Sequence, residues 1–252
     1  MLTLTGIPGV PLVKPGDDLG GLLAAALERA GRAPVDRDVI VVAQKVVSKA
    51  EDRFVDLARV KPSARAMELA AELEKDPRIV EVVLSESRRV VRKRPGLLIV
   101  EHRLGFVMAN GGVDRSNVGP VEEGERVLLL PRDPDASAER LRQQLSRQFR
   151  CDLAVIINDS FGRPWRKGIV GVALGAAGIP SLMDMRGRPD LFGRPLEVTV
   201  TCFADEISAA ASLVMGQAGD GIPAVLVHGL DWSAPPTQAS YLVRGAEEDL
   251  FR

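Results

Sequence analysis

Residues 153–168 read LAVIINDSFGRPWRKG, and this stretch determines the fold around a candidate site. The apolar run 153–157 predicts a buried strand, and we expect the strand to end there. Asp159 and Ser160 would then be presented just beyond the strand, as an acid and a hydroxyl that can hold a hard cation. A glycine turn follows, and then three cations that suit phosphate oxygens, which are Arg163, Arg166 and Lys167. The order predicts chemistry on a metal-bound phosphate.

Strand and helix patterns alternate along the rest of the chain, which predicts an α/β or mixed α+β fold with helices on mixed sheets. One helix is expected to begin at Asp76-Pro77 and to end in the basic run 88–94. The other helical patterns cover 19–27, 63–74, 137–149 and 204–215, and the strand patterns cover 38–43, 97–100, 106–108, 127–130, 152–157, 197–203 and 223–228.

Composition limits the class of protein. The 252 residues are 46% hydrophobic and 27% charged, as is ordinary for a globular domain, and the net charge of -1 disfavours nucleic acid as a partner. No apolar run reaches the ~20 residues of a membrane helix, and residues 1–6 lack a signal-peptide pattern. We therefore expect a cytoplasmic protein with no membrane association.

Cysteine and histidine are scarce, which restricts the kinds of site that the chain can build. Cys151 and Cys202 are far apart and show no metal-ligand spacing, so we expect buried thiols. His102 and His228 each follow an apolar run and are expected to be packed or rim residues. A metal site would then use oxygen ligands, which suit Mg²⁺ or Mn²⁺.

Three polar loops follow apolar strands and are expected to converge, because sites in α/β sheets form beyond the strand ends. One loop carries Asp114 and Asn117, the second carries Asp159 and Ser160, and the third is the glycine turn 216–221. Two carboxylates with a hydroxyl can hold one or two divalent cations. The alternative is that each aspartate is a turn or cap residue.

Two basic clusters have functional and neutral interpretations. If residues 44–51 are helical, Lys45 and Lys49 share a face, where a phosphate would relieve their repulsion; a solvated basic face is the alternative. The cations around Trp165 also fit a nucleic-acid patch, which the overall charge disfavours. Neither a P-loop nor a Gly-x-Gly-x-x-Gly after a strand is present, so a bound nucleotide would use a less common architecture.

Several blocks, in one order, resemble the coenzyme F420-0:L-glutamate ligases, also called γ-glutamyl ligases. The resemblance runs from about Gly9 to Leu230, and the order of the blocks is specific although no single block is. The matching blocks are 9–19 (GVPLVKPGDDL), 46–51 (VVSKAE), 112–118 (GVDRSNV), 129–131 with 133–138 (LLP, DPDASA), 158–168 (NDSFGRPWRKG), 187–194 (GRPDLFGR) and 204–206 (ADE).

The resemblance implies a GTP-dependent ligase that joins L-glutamate to the lactate carboxylate of a phospholactyl deazaflavin, coenzyme F420-0. The implied route passes through an acyl phosphate, and some members add further γ-linked glutamates. It also implies a nucleotide-binding fold without a P-loop, in two intimately joined lobes of a single unit, 1–252, whose lobe boundaries the sequence does not give. Intertwined homodimers are implied as well. We expect the single-domain form, without the C-terminal flavin-reductase-like domain of some relatives.

The resemblance also assigns roles to residues. Asp114 and Asp159 match metal-holding acids, and Ser160 matches a ligand of a second ion; Mg²⁺ or Mn²⁺ is implied, with K⁺ as a further candidate. Gln217 stands where some relatives carry Glu, so a second ion would bind more weakly. The positions that match GTP contacts are Val10, Pro11, Leu12, Val13, Gln44, Lys45, Lys49, Asn117, Met215, Gly216, Gln217, Ala218, Gly219, Asp220, Gly221 and Ile222.

Charge and position, rather than the resemblance, make Arg163, Arg166 and Lys167 candidates for binding the γ-phosphate or the substrate carboxylate. Together with Asp114 and Asp159 they form the candidate catalytic set. Two other functions stay open at this point. One is a nucleotide-binding regulatory module without turnover, and the other is a ligase for a different carboxylate.

Overall fold

The computed structural model describes residues 1–119 and 124–250. Twelve strands and six α-helices lie in these two ranges. The strands β1 to β12 are Thr3–Gly6, Val39–Ala43, Phe54–Asp56, Ser87–Arg94, Leu97–His102, Val107–Ala109, Arg126–Leu128, Ala154–Arg163, Arg166–Ala177, Met183–Asp184, Val200–Thr201 and Ala224–His228. The helices α1 to α6 are Leu19–Arg29, Gln44–Ala50, Ala64–Leu73, Pro77–Ser85, Pro134–Phe149 and Phe203–Met215. The mixed α/β class expected from the sequence is confirmed.

The main sheet has five strands in the order β1-β12-β2-β8-β9. Strands β2 and β8 are parallel, with Val39 opposite Ala154 and Ala43 opposite Asn158, and every other neighbouring pair is antiparallel. The carboxyl ends of β2 and β8 therefore lie side by side. Strand β12 begins, and β1 ends, at the same edge of the sheet, meaning the edge formed by the carboxyl ends of β2 and β8 and not the lateral edge strand.

Both faces of the main sheet are covered, which explains why β2 and β8 read as continuous apolar runs. Ile40 and Val42 pack with helices α1 and α5 on one face, whereas Val39 and Val41 pack with α6 on the other. No helix in the described part of the chain is both long and apolar enough to span a membrane.

A smaller sheet, β4-β5-β6, packs its apolar side chains against α3 and α4. The predicted caps of these helices are confirmed. The Ser63 hydroxyl accepts from the Ala66 N–H, and the Asp76 carboxylate accepts from the Arg78 N–H with Pro77 in the first turn. Strands β3 and β7 form a separate two-stranded antiparallel sheet. In sequence, each of the two connects a strand of the main sheet with a strand of the smaller sheet. Val127 and Leu128 of β7 are buried.

Two predicted element boundaries were wrong. The helix that begins at Pro77 ends at Ser85, and the basic run 88–94 is strand β4, because β5 offers it a full antiparallel partner. The strand predicted over 197–203 is reduced to Val200–Thr201, because its only partner, β10, is two residues long. Helix α6 already begins at Phe203.

The strand in the motif 153–168 also ends at a different residue from the one predicted. Strand β8 does not end at Ile157 but continues to Arg163, because β9 supplies hydrogen-bonding partners as far as the pair Arg163–Arg166. The chain reverses at residues 164–165 rather than at Gly162, and Trp165 takes the positive φ of 59° that this tight turn requires. Asp159 and Ser160 therefore lie within a long hairpin and not in a loop.

The hairpin packs closely on α6 at Gly171. A Cβ added to Gly171 would lie 2.5 Å from the Ser208 carbonyl oxygen and 2.7 Å from Asn158 Oδ1, and it would also overlap the Ser212 hydroxyl. One of these neighbours is backbone, so the contact cannot be relieved by a side-chain rotation. Gly162, in the same hairpin, has open space where its Cβ would lie.

We expect Gly171→Ala to lower the free energy of unfolding by about 1–3 kcal/mol, the usual cost of overpacking a close interface. Gly162→Ala is the matched control and should leave the stability nearly unchanged. Urea unfolding followed by circular dichroism measures both variants. Equal midpoints for Gly171→Ala and the wild type would contradict the close packing of α6 on β9.

Candidate functional site

The three segments predicted as loops meet at one edge of the main sheet, although Asp159 and Ser160 belong to strand β8 there. Because β2 and β8 are parallel and Ala43 pairs with Asn158, helix α2 begins beside Asp159. Strand β12 starts at Ala224, opposite Val42, so the turn 216–222 that precedes it lies at the same edge. Residues 7–13 follow β1, and the Ile7 N–H donates to the Ala224 carbonyl there.

Asp114 is held at this edge by backbone hydrogen bonds. Its N–H and carbonyl both pair with Leu128, each at 2.9 Å. The preceding Gly112 has a φ of 66° and lies so close to Leu130 that a Cβ would meet that side chain at 2.8 Å. The Asp114 Oδ2 atom lies 3.0 Å from Lys45 Nζ of α2, and 24% and 29% of the two side chains are exposed.

Asp159 is the second acid of the site, and it is partly buried. Its Oδ1 accepts from the Ser160 N–H at 2.8 Å. Burial, and then the negative charge of Asp114, raise the pKa of Asp159 to about 6, although the Ser160 N–H and the Lys45 ammonium favour ionisation. Burial also raises the pKa of Asp114, against the opposing effect of Lys45. The two acids and one lysine therefore interact as one group, in which two carboxylates face the single positive charge of Lys45.

Asn158 is a residue that sequence reasoning did not single out, and it ties the acid strand to α6. Its side chain is buried, and its Nδ2 lies 3.1 Å from Ser212 Oγ and 3.5 Å from Met215 Sδ. Met215 is the last residue of α6, directly before the glycine turn. The position of Asn158, between the apolar run 153–157 and Asp159, was the only sequence signal for its contact with α6.

The glycine turn is fixed by two contacts. Gly216 ends α6 with a φ of 71°, and Asp220 Oδ2 accepts from the Ala218 N–H at 3.2 Å. Asn117 Nδ2 donates to the Ala218 carbonyl at 3.1 Å. The loop around residues 113–118 thus contacts the turn through Asn117 and contributes Asp114 to the acid pair. Gln217 is exposed and makes no hydrogen bond to either carboxylate in the described part of the chain.

The residues predicted to contact a nucleotide lie at this edge, but their side chains point in different directions. Gln44 is 1% exposed; its Nε2 lies 2.8 Å from Ser48 Oγ, and its Oε1 has no hydrogen-bond partner within residues 1–119 and 124–250. Lys49 is partly buried on α2. Val13 is buried against α1, whereas Leu12 is 86% exposed.

The three cations of the motif 153–168 do not lie beside Asp114 and Asp159 within this chain. Arg163, Arg166 and Lys167 are exposed at the tip of the β8–β9 hairpin. Arg163 lies four residues beyond Asp159 on an extended strand, which corresponds to about 13 Å. Their role in binding phosphate or carboxylate stays a prediction.

The cysteine and histidine side chains of the described ranges do not add a metal-binding cluster to the acids. The described residues contain no group of three or more His, Cys, Asp and Glu side chains that could hold a metal ion. Burial raises the pKa of Cys202 to about 12, so its thiol is not a ready nucleophile. His228 lies at the opposite edge of the sheet, with its Nδ1 2.7 Å from Asp38 Oδ1.

The arrangement offers oxygen ligands on one side and an exposed glycine turn on the other. Asp114, Asp159 and Ser160 supply carboxylate and hydroxyl oxygens, the donors that Mg²⁺ and Mn²⁺ prefer. A divalent cation would supply the positive charge that the two acids lack beyond Lys45. The residues present therefore fit such a cation, with the remaining ligand positions left to water or to a bound phosphate.

Comparisons with known proteins identify the family of the chain. Residues 9–229 match the family model described as F420-0:Gamma-glutamyl ligase. A coenzyme F420:L-glutamate ligase of Methanothermobacter thermautotrophicus is 45% identical over 253 residues, covering 100% of this chain and 99% of the relative. Proteins of the same name from Methanopyrus kandleri and Archaeoglobus fulgidus are also 45% identical, covering 98% of this chain and 97% and 94% of their own lengths. The chain belongs to the F420-0:γ-glutamyl ligase family.

Proposed function

We propose that this protein is a GTP-dependent ligase that forms an amide between L-glutamate and the lactate carboxylate of coenzyme F420-0. The observation that carries the proposal is the coupled group of Asp114, Asp159 and Lys45 beside the glycine turn. The full-length relatives, named coenzyme F420:L-glutamate ligases, support the choice of substrates. GTP rather than another nucleotide is our inference from the family resemblance.

The proposed reaction has two steps with balanced bonds. A carboxylate oxygen of the substrate attacks the γ-phosphorus of GTP, the bond to the β–γ bridging oxygen breaks, and GDP leaves with that electron pair. The amine of glutamate then attacks the carbonyl carbon of the acyl phosphate, and inorganic phosphate leaves as the nitrogen loses a proton. Both partners of the first step are anions, so charge neutralisation is the main requirement on the protein.

The chain's own residues meet that requirement in the following way. Lys45 places an ammonium 3.0 Å from Asp114, where it can also face a terminal phosphate oxygen. Asp114, Asp159 and Ser160 would hold Mg²⁺ or Mn²⁺, with Gln217 as the candidate ligand of a second ion. When bound, the cation would screen the phosphate charge from the attacking carboxylate. The turn 216–222, fixed by Asn117, would position the nucleotide relative to the acids.

We further propose that the protein is a homodimer. The β8–β9 hairpin tip exposes 79% of Trp165 and 55% of Ile169, and the loop between β10 and β11 exposes 99% of Leu191 and 87% of Phe192. Large apolar side chains projected on two hairpins favour burial against another protein surface, and a second copy is the partner that the family resemblance implies.

The central prediction concerns activity. Incubation with coenzyme F420-0, glutamate, Mn²⁺ and GTP should give a product carrying one or more glutamyl units by mass spectrometry, with less product from ATP. Asp159→Ala should lower kcat at least about 100-fold, because the site loses an anionic ligand of the cation that would neutralise the transferring phosphate. Asp152→Ala, just before the opposite end of the same strand, is the control and should retain activity. Nucleotide binding without any product would instead indicate a regulatory module.

A second prediction concerns the pH dependence of stability in the cation-free protein. The pKa of Asp159 is about 6 when folded and near its ordinary value of 3.8 when unfolded, so ionisation costs stability as pH rises through this interval. Asp159→Asn should therefore stabilise the protein above pH 7, by at most about 3 kcal/mol, and should change little near pH 4. Urea unfolding at both pH values tests this.

Adding Mn²⁺ to the same two proteins distinguishes the role of Asp159 as a metal ligand from the effect of its ionisation on stability. At pH 8, Mn²⁺ should raise the Tm of the wild type more than that of Asp159→Asn, because the variant lacks one anionic ligand. Equal Mn²⁺ shifts in the two proteins would argue against Asp159 as a ligand. Stabilisation by the substitution at pH 4 as well as pH 8 would argue against the raised pKa.

A third prediction concerns the hairpin cations. Replacing Arg163, Arg166 and Lys167 together by Gln should raise the KM for GTP or for the carboxylate substrate, because positive charge near an anionic substrate is lost. Sedimentation velocity on the wild type and this variant should give a dimer in both. Unchanged KM and kcat would remove the three cations from the site, and a monomeric wild type would overturn the proposed homodimer.

A further inference from the structure

A cavity of about 270 Å³ lies beside β9, the edge strand of the main sheet. Its lining consists of the apolar residues Leu104, Phe106, Pro134 and Leu174 and the polar residues Arg132, Asp133, Asp135, Gln238 and Ser240. A second cavity of about 360 Å³ shares Leu104 and Ser240 with the first. The two cavities are therefore neighbours on either side of Leu104 and Ser240.

The first cavity, through Leu174, lies on the same face of the sheet as Asp159. Leu174 is the extra residue of a β-bulge, between the pairs Ile157–Gly175 and Asn158–Ala173, and it packs in the same core cluster as Ile157. Asp159 follows Ile157 by two residues on β8, so it projects to this face as well. Val172 pairs with Asp159 and lies two residues from Leu174, which is about 7 Å along the strand.

An aromatic contact continues the wall from the cavity to the acid strand. The rings of Phe106 and Phe161 meet edge to face, with centroids 5.7 Å apart. Phe161 is two residues beyond Asp159 on β8 and faces the same way. One side of Phe106 therefore lines the cavity while its ring contacts the strand that carries the acid.

The two substrates of a phosphoryl transfer must approach from opposite sides, because the attacking and leaving oxygens are roughly in line. The turn 216–222 precedes β12, which lies two strands away from β8 on one side. Strand β9 and the cavity lie on the other side of β8. With the nucleotide at the turn, the carboxylate substrate has to reach Asp159 from the β9 side, and the cavity lies on that path.

We propose that this cavity binds the planar heteroaromatic ring system of the carboxylate substrate, and this inference rests on the proposed function. Apolar side chains with one aromatic ring suit a flat aromatic group, and a few polar groups of the lining fix its orientation. The Arg132 guanidinium makes no ion pair within the described ranges, so it is available to the negatively charged arm that joins the ring to the carboxylate. The carboxylate at the end of that arm then reaches the acid pair.

Filling the cavity tests the proposal. Leu104→Trp should raise the KM for coenzyme F420-0 about tenfold, since the loss of an aromatic contact worth about 1.4 kcal/mol corresponds to a factor of ten. The KM for GTP and glutamate, and kcat, should stay within about twofold. Met67→Trp on α3, at a side chain 54% exposed and outside both cavities, is the matched control. If Leu104→Trp does not fold, Gln238→Trp fills the same cavity from an exposed position.

A direct binding measurement separates this inference from the proposed function. The probe is the ring-bearing alcohol that lacks the phospholactyl arm, followed by its fluorescence without nucleotide. It should bind the wild type and Met67→Trp, and bind the cavity-filled variant about tenfold more weakly. If the wild type forms the glutamyl product but filling the cavity changes neither KM nor probe binding, the cavity assignment is overturned and the function stands. If no product forms but filling weakens probe binding, the function fails and the ring site stands.

Discussion

The parallel pairing of β2 with β8 is the constraint on which the site depends. Parallel strands place their carboxyl ends at one edge, so Ala43 and Asn158 become neighbours although 114 residues separate them in sequence. Lys45 on α2 and Asp159 on β8 are then held beside each other by two buried strands. The antiparallel strand β12 brings the beginning of its own segment to the same edge, and with it the glycine turn. Asp159 and Asp114 are thus fixed by main-chain pairing, and Lys45 is fixed by the helix that follows β2.

That placement has an electrostatic cost, which is why this edge is the candidate functional site. Two partly buried carboxylates share one lysine, and the pKa of Asp159 rises to about 6 because burial and Asp114 both oppose its ionisation. A purely structural role would be met better by one acid and one base, as in the pair of Arg142 with Glu139. The unbalanced negative charge is the feature that supports our proposal of a bound cation at this edge.

The sequence was sufficient for those parts of the fold that local patterns control. The caps at Ser63 and Asp76, the apolar run of β2 and the helix before the glycine turn depend on nearest neighbours, and each is present as expected. The end of β8 could not be predicted, because Asp159 and Ser160 have polar side chains but remain in a ladder supplied by a strand beyond the turn. The basic run 88–94 was wrongly predicted to end a helix for the same reason, because its pairing with β5 makes it a strand.

The long β8–β9 hairpin changes how the opening motif can be understood. Taken as a loop, the motif would place its acid and its three cations around one phosphate. As an extended strand it places the acid at the edge of the sheet and the cations about 13 Å away at an exposed tip. Between them lie Phe161, the bulge at Leu174 and the cavity beside Phe106. An extended strand places its residues at different distances from the site. Asp159, which we propose to lie near the nucleotide, the cavity proposed for the carboxylate substrate and the exposed hairpin tip therefore make different contacts.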